Sequence, residues 1–385
     1  MTDNDTLTTL LLSGSVFSGN PNMTLLSEGL ERAGTEVRCP DNKRVFPATQ
    51  AALRNRDADI LQIDWPYPHY LIRNSDSDAL NKIFTVLRAV TFLLDLLVVS
   101  VLPIKLVRVV HNKRHHEKIY PRVERVVNEL NFLVADAITV KCTRAGDIVD
   151  SHYTAASVDK MHVIPDGNYI PAYENTVSME VARDELSIPD DEFVFLFFGH
   201  IREYKGVPDL LETFPDLDRS DARLWIVGNP KTDDLEAEIT ALAQQDDVET
   251  VLEYIPDDRV QYYMNAADVL VLPYRDILNS GAVYAGLSFG LPVVTPAIGC
   301  LPETVPPENE FLYDPTRDRA LLQELERAYD QPDLASIGRA NYEYAQDQSW
   351  DRVAQRVTDM YRSTLDGQNG SQTATSALDP QDTTS

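Results

Sequence analysis

Cations are scarce in this sequence. Lys and Arg number 34 among 385 residues against 61 Asp and Glu, a formal charge of −27, and lysine supplies nine of the 34. A surface so acidic repels nucleic acid and most anionic polymers, which removes those partners. It suits a halophilic, high-salt interior, where carboxylates hold hydration and salt screens their mutual repulsion. Cysteine is rarer still. Cys39, Cys142 and Cys300 stand far apart without paired spacing, which argues against a disulfide framework and a zinc site, so they read as buried apolar residues. The opening MTDNDTLTTLLLSGS lacks a basic stretch before its short apolar run. It therefore reads as a first strand, not a signal peptide, and a cytoplasmic location is expected. Long apolar runs are also few. The one that approaches a membrane span in length, residues 89–106, carries Asp95 in its middle and Pro103 near its end. An unpaired acid at mid-membrane is costly, so the run is expected to be a buried helix leading into a strand, with shallow contact at the inner membrane face left open.

A chain of 385 residues exceeds the size at which one core keeps growing, so two domains are expected. Short β-rich runs alternate with helical patterns, which predicts parallel sheets flanked by helices. Strands are expected at residues 7–12, 36–38, 60–64, 106–111, 137–141 and 161–164, with helices over 22–33, from 78, and over 121–135. Residues 165–191 mix Pro, Asn, Glu and Asp with little periodicity and suit an interdomain linker. A second alternating unit places strands at 193–198, 223–227, 249–252, 269–272 and 292–295. The expected division is a first domain over 1–170, a linker over 171–190, a second domain over 191–348, an amphipathic helix over 349–365 and a polar tail over 366–385 with the composition of a disordered segment.

In open parallel sheets, ligands bind at the carboxyl ends of strands, where loops and helix N-termini present unsatisfied N–H groups. The loop after 193–198 runs Gly199-His200-Ile201-Arg202-Glu203-Tyr204-Lys205-Gly206. Two cations three residues apart, bracketed by glycines that admit close backbone approach, form a clamp suited to a diphosphate. In so acidic a chain their placement is informative. Farther on, Ser280 is a good N-cap for the helix that follows, and the N–H groups of Gly281 and Ala282 would face a phosphate or sugar. The strand at 292–295 ends in another glycine turn, which carries one acid, Glu303.

Four segments in this order, FFGHIREYKG, AADVLVLPY, SGAVYAGLSFGLPVV and GCLPETV, resemble the group 1 glycosyltransferase family of the GT-B superfamily. The resemblance covers most of residues 190–363. It implies an α/β, GT-B fold of two Rossmann-like doubly wound parallel-sheet domains facing a cleft. It also implies transfer of a hexose from a nucleotide diphosphate sugar to a glycan or lipid-linked acceptor, with no cofactor beyond that co-substrate. Gly199, Arg202 and Lys205 would then hold the donor diphosphate and neutralise charge growing on the leaving group. Ser280, Gly281, Ala282 and Glu303 would complete the donor pocket, and the SWDRV helix would cross back onto the first domain. Many family members carry two glutamates where this chain has Ile277 and Ala285. The second of those acids usually grips the donor ribose, so that contact is absent or supplied elsewhere.

Sugar transfer also requires that the acceptor hydroxyl be deprotonated or hydrogen-bonded and that water be kept out. Three of seven histidines fall within residues 111–116, directly after the strand at 106–111 and so on the ligand-facing edge. The segment is similar to an HN..PHE motif of some group 1 members. By that likeness His111 points toward the transferred sugar, and His116 with Glu117 shapes the pocket. No helical pair with a third ligand accompanies them, so no metal is expected. Between 105 and 125 seven Lys or Arg stand against Glu117 and Glu124, a cationic segment that could face a phosphate-bearing acceptor or an anionic membrane surface. Gly19, in the glycine- and serine-rich turn after the first strand, is a further cleft candidate. So are Asp64 and Trp65, an acid and an aromatic platform for a sugar ring, and Asp166, where the family often has His. Asp76-Ser77-Asp78 reads as a helix N-cap. A sugar-nucleotide 2-epimerase shares the architecture, and a sugar-nucleotide-binding protein without transfer is the other alternative.

Overall fold

The computed structural model describes residues 6–12, 21–40, 45–73, 77–114 and 119–367. These form two compact units, one running to Asp166 and resumed from Trp350, the other Gly167–Ser349.

The first unit builds one parallel sheet from β1 (Thr8–Leu11), β2 (Glu36–Arg38), β3 (Ile60–Ile63), β4 (Lys105–Val109), β5 (Ala137–Val140) and β6 (Met161–Val163), in the order β2-β1-β3-β4-β5-β6. Around it lie α1 (Pro21–Arg32), α2 (Pro47–Arg54), α3 (Tyr67–Tyr70), α4 (Asp78–Val99), α5 (Pro121–Val134) and α6 (Thr143–His152). Strands covered on both faces need side chains that tolerate burial in both directions. ILQI of β3 and AITV of β5 are buried throughout. The order reverses between β1 and β3, the place where doubly wound sheets open a crevice at their carboxyl ends.

The long apolar run lies on α4 and the turn that follows it. Asp95 sits on the inward face, and its carboxylate accepts the N–H groups of Ala48 and Thr49, each at 2.8 Å, at the start of α2. The acid in the apolar run is thus explained: it satisfies orphan donors of a neighbouring helix and meets that helix's positive end. The expectation of a buried helix holds for this face alone. The opposite face, including Leu87 and Leu94, is exposed, as is Val101 in the turn after the helix. Among the described residues no helix is long and apolar enough to cross a membrane. Cys142 and Cys300 are buried, but Cys39, expected inside, is exposed.

In the second unit, β7 (Phe193–Phe198), β8 (Ala222–Val227), β9 (Val248–Val251), β10 (Val269–Val271), β11 (Val293–Pro296) and β12 (Leu312–Tyr313) form a parallel sheet in the order β12-β11-β10-β7-β8-β9. Counted within the unit, this is the 3-2-1-4-5-6 order of dinucleotide-binding sheets. Its reversal falls between β7 and β10. The helices are α7 (Met179–Leu186), α8 (Val207–Thr213), α9 (Asp233–Leu242), α10 (Asp257–Ala266), α11 (Gly281–Ser288), α12 (Leu301–Thr304), α13 (Ala320–Tyr329) and α14 (Leu334–Asp347). Residues 171–190, expected as a linker, contain α7, which packs on α10. Arg183 anchors it: its buried guanidinium donates to the carbonyls of Ala266, Asp190 and Glu192 and pairs with Asp268 at 2.8 Å. The last helix, α15 (Trp350–Leu365), packs on α1 in the first unit, with Thr358 and Thr35 hydroxyls 3.2 Å apart. Tail residues from 368 on lie outside the described residues, as does Asp76.

Candidate functional site

Four adjacent strands of the first sheet finish in side chains spaced two residues apart. These are Gln62 on β3 with Asp64 just past it, Val109 on β4 with His111 just past it, Thr139 on β5 with Lys141 just past it, and Ile164 and Asp166 past β6, and all line one pocket. Alternate residues of a strand point to the same face, which is why the spacing brings them together. Met23 of α1 and Trp350, Val353 and Val357 of α15 supply apolar wall.

His111 is held on two sides. Its Nε2 lies 3.1 Å from Asp64 Oδ1, and its ring stacks on Trp65 with centroids 4.4 Å apart and planes 17° from parallel. Trp65, expected to offer a platform to a sugar, therefore presents a ring face to His111. Burial alone would push the Asp64 carboxyl up. The hydrogen bond and charge of His111, with the amide of Gln62 and the charge of Lys141, outweigh it and hold the group below its ordinary value. The tautomer that gives its Nε2 hydrogen to ionised Asp64 leaves Nδ1 as the acceptor nitrogen of the ring.

Behind this dyad, Gln62 Nε2 donates to Asp64 Oδ2 at 3.0 Å, and Gln62 Oε1 accepts the buried Tyr361 hydroxyl at 2.5 Å. Arg108 donates to the carbonyls of Ile63 and Asp64, pinning the backbone that carries the acid. Desolvation pushes that guanidinium down to about 10, partly offset by Asp64. Lys141 Nζ pairs with Asp166 Oδ1 at 2.6 Å. The hydroxyl of Thr139 is buried without a hydrogen-bond partner among the described residues. Gln62, Arg108, Lys141 and Tyr361 were not singled out from sequence. Lys141 had a usable signal, being one of nine lysines and standing at the end of a strand. Gly19, His116 and Glu117 lie outside the described residues. Within the cationic segment, Lys105 pairs with Asp136 at 2.9 Å and Arg108 is buried, whereas Lys113, Arg114, Arg122 and Arg125 are exposed.

In the second unit the loops after β7, β10 and β11 meet at the carboxyl edge, beside the reversal of strand order. Arg275 N–H donates to Tyr204 O at 2.8 Å, and Cys300 N–H donates to Leu278 O at 2.7 Å. Gly206 has φ +70°, and a Cβ there would lie 2.0 Å from Pro273 O, so glycine is required for the loops to touch. Gly199 lies under the Lys205 ammonium, whose Nζ would be 3.2 Å from an added Cβ. Lys205 is half-buried and has no ion-pair carboxylate among the described residues. Desolvation, and then the charge of Arg202, pushes it from 10.5 down to about 8. Arg202 is half-buried and stands directly before the short helical turn that carries Lys205. Ser280 caps α11 by accepting Val283 N–H at 3.3 Å, and its hydroxyl lies 2.6 Å from that of Tyr274. Gly281 and Ala282 open that helix half-buried, with the Tyr169 hydroxyl 2.6 Å from where a Gly281 Cβ would stand. Glu303 is exposed on α12. Among the described residues no group of three or more His, Cys, Asp or Glu could hold a metal ion.

A sheet of dinucleotide-binding order with cations at its reversal, and a doubly wound parallel sheet of order 2-1-3-4-5-6 with a His–Asp pair at its carboxyl end, define a two-domain α/β enzyme. Residues 178–345, within the second unit, match the family described as "Glycosyl transferases group 1", which identifies that unit as a glycosyltransferase domain of this family. The chain is 27% identical over 313 residues, 79% of this chain and 78% of the other, to a protein of Xanthomonas campestris pv. campestris named GDP-mannose:glycolipid 4-beta-D-mannosyltransferase. Among solved structures it resembles sucrose-phosphate synthase from Thermosynechococcus elongatus, with a TM-score of 0.70 at 17% identity, covering 94% of this chain and 99% of that one. The Anabaena protein HepE, solved in complex with UDP-glucose, gives a TM-score of 0.69 at 15% identity, covering 93% and 100%. These likenesses place the fold in the GT-B class of two Rossmann-like domains.

Proposed function

We propose that the protein transfers a hexose from a nucleoside diphosphate sugar to a glycan or lipid-linked acceptor, each unit supplying part of the chemistry. The second unit binds the donor. Arg202 and Lys205 hold the diphosphate and neutralise the negative charge that grows on it as the bond from the anomeric carbon to the phosphate oxygen breaks. The first unit serves the acceptor. As the acceptor oxygen bonds to the anomeric carbon, its proton passes to His111 Nδ1, while Asp64 fixes the tautomer and stabilises the imidazolium. Gln62, Tyr361 and Arg108 hold Asp64 in place, and Lys141 with Asp166 offers charged hydrogen-bonding groups beside it. No metal or further cofactor is assigned.

The observation that carries the reading is Lys205, a cation with no carboxylate partner among the described residues, at the reversal of a dinucleotide-binding sheet. The GDP-mannose in the name of the Xanthomonas relative and the UDP-glucose bound to HepE support a nucleotide sugar as donor. The glycolipid in the former name supports a lipid-linked acceptor. The test is calorimetric titration of GDP-mannose and UDP-glucose onto the full chain and onto the Arg202→Ala/Lys205→Ala variant, with product analysis with and without glycolipid acceptors. Binding that the double substitution abolishes, and transfer that requires acceptor, are expected. Unchanged affinity in the variant would remove the diphosphate assignment. Donor conversion without acceptor would point to the epimerase.

A further inference from the structure

The outer face of α4 is at odds with the rest of the surface. Ile83, Leu87, Val90, Leu94 and Leu97 follow one another at spacings of three and four, each between 46% and 57% exposed, and Val101, in the turn just past the helix, is 80% exposed. The stripe runs about 20 Å along the helix. Large exposed apolar patches of this kind mark interaction surfaces.

Its chemistry selects the partner. In a paired helix the positions flanking such a seam carry charges that set register. Here they include Phe84, Val86, Thr91 and Val98, and the only acid in the midst of the run, Asp95, points inward to α2. Protein interfaces also hold roughly one hydrogen bond per 100–200 Å², whereas the apolar side chains of this stripe offer no donor or acceptor. A bilayer asks for none.

The charge beside the stripe is complementary to a lipid surface. The Tyr120 hydroxyl donates to Asp78 Oδ1 at 2.9 Å, setting the start of α5 beside the start of α4. At that end Arg114 Nε donates to His152 Nε2 at 3.0 Å, and Arg125 donates to the His152 carbonyl at 3.4 Å, so both arginines gather on one residue. Arg122 and Lys113 are exposed nearby in sequence, and the acids beside them are Glu129, 3.7 Å from Arg125, and Asp78, which accepts the Tyr120 hydroxyl. A cationic cluster in a chain of charge −27 would turn this side toward an anionic surface and the remainder away from it.

We propose that the outer face of α4, with the Arg114–Arg122–Arg125 cluster, is a docking surface for an anionic lipid bilayer. The helix lies in the plane of the interface with its apolar stripe among the acyl chains, and the arginines meet the headgroups. This surface is separate from the donor and acceptor groups, so it stands or falls independently of the transfer chemistry.

The test is flotation of the full chain with vesicles of phosphatidylcholine alone or with phosphatidylglycerol added, paired with sedimentation without lipid. Wild type is expected to float with the anionic vesicles and to bind the neutral ones more weakly. Leu87→Glu/Leu94→Glu should abolish flotation at an unchanged melting temperature. Arg114→Glu/Arg125→Glu should weaken binding to anionic vesicles by well over tenfold, at roughly fivefold for each cation lost, and leave neutral-vesicle binding unchanged. Failure of wild type to float with either vesicle would overturn the proposal. So would a lipid-free dimer that Leu94→Glu separates, since a second copy would then cover the stripe.

Discussion

Lys205 is held where its charge is costly, and replacing it by Met should separate stability from binding. Its fall from 10.5 to about 8 means that keeping the ammonium charged in the folded, ligand-free chain at neutral pH costs roughly 3 kcal/mol. Met retains the unbranched stem. The substitution forfeits the contact of Nζ with the Phe197 ring, 5.8 Å from its centroid, worth roughly 0.5–1 kcal/mol. The net expectation is a stabilisation of about 2 kcal/mol, or a rise in melting temperature of roughly 4–8 °C for a unit of this size. The folded value lies below the unfolded one, so the unfolded chain binds more protons between about 8 and 10.5. Wild-type stability should therefore climb with pH through that window, and Lys205→Met should lack the climb. Binding moves the opposite way: a charged hydrogen bond to phosphate is worth roughly 1.5–3 kcal/mol, so donor affinity should fall ten- to a hundredfold. Wild-type affinity should itself weaken above pH 8 as the ammonium loses its proton. Thermal melting from pH 7 to 10, with and without a nucleoside diphosphate sugar, reads both effects. A variant that melts lower than wild type yet binds donor equally well would refute the reasoning.

Two further outcomes follow from the packing. Asp95→Ala leaves the N–H groups of Ala48 and Thr49 without their acceptor and should destabilise the first unit by roughly 1–3 kcal/mol, with donor affinity unchanged by calorimetry. Gly206→Ala puts a Cβ 2.0 Å from Pro273 O at φ +70°. It should cost roughly 2–4 kcal/mol and weaken donor binding as well, measured by melting and titration together.

What could be read in advance followed from local pattern. FVFLFF of β7 is a run that only a strand covered on both faces would carry, and the glycines and cations after it mark the edge where such sheets bind ligands. His111 was legible for the same reason, as a histidine just beyond a strand. Its setting was not. The Tyr361 to Gln62 bond joins residues 299 apart, and the Lys141–Asp166 pair depends on β5 and β6 being neighbours. Neither leaves a trace in local spacing. The linker reading failed because one buried arginine, Arg183, gathers four partners and folds an otherwise irregular segment onto α10. The reading of α4 as buried failed on its outer face because apolarity all round a helix normally signals burial, and periodicity is silent on what the second face meets.

The central claim is a division of labour, with donor held by the cations of one unit and acceptor activated by the His–Asp pair of the other. Its most direct test measures acceptor-dependent release of nucleoside diphosphate and donor affinity on one preparation of His111→Ala. Turnover should drop by roughly 10²–10⁴ while the Kd for donor stays at the wild-type value. Turnover at the wild-type rate, or a loss confined to donor affinity, would contradict it.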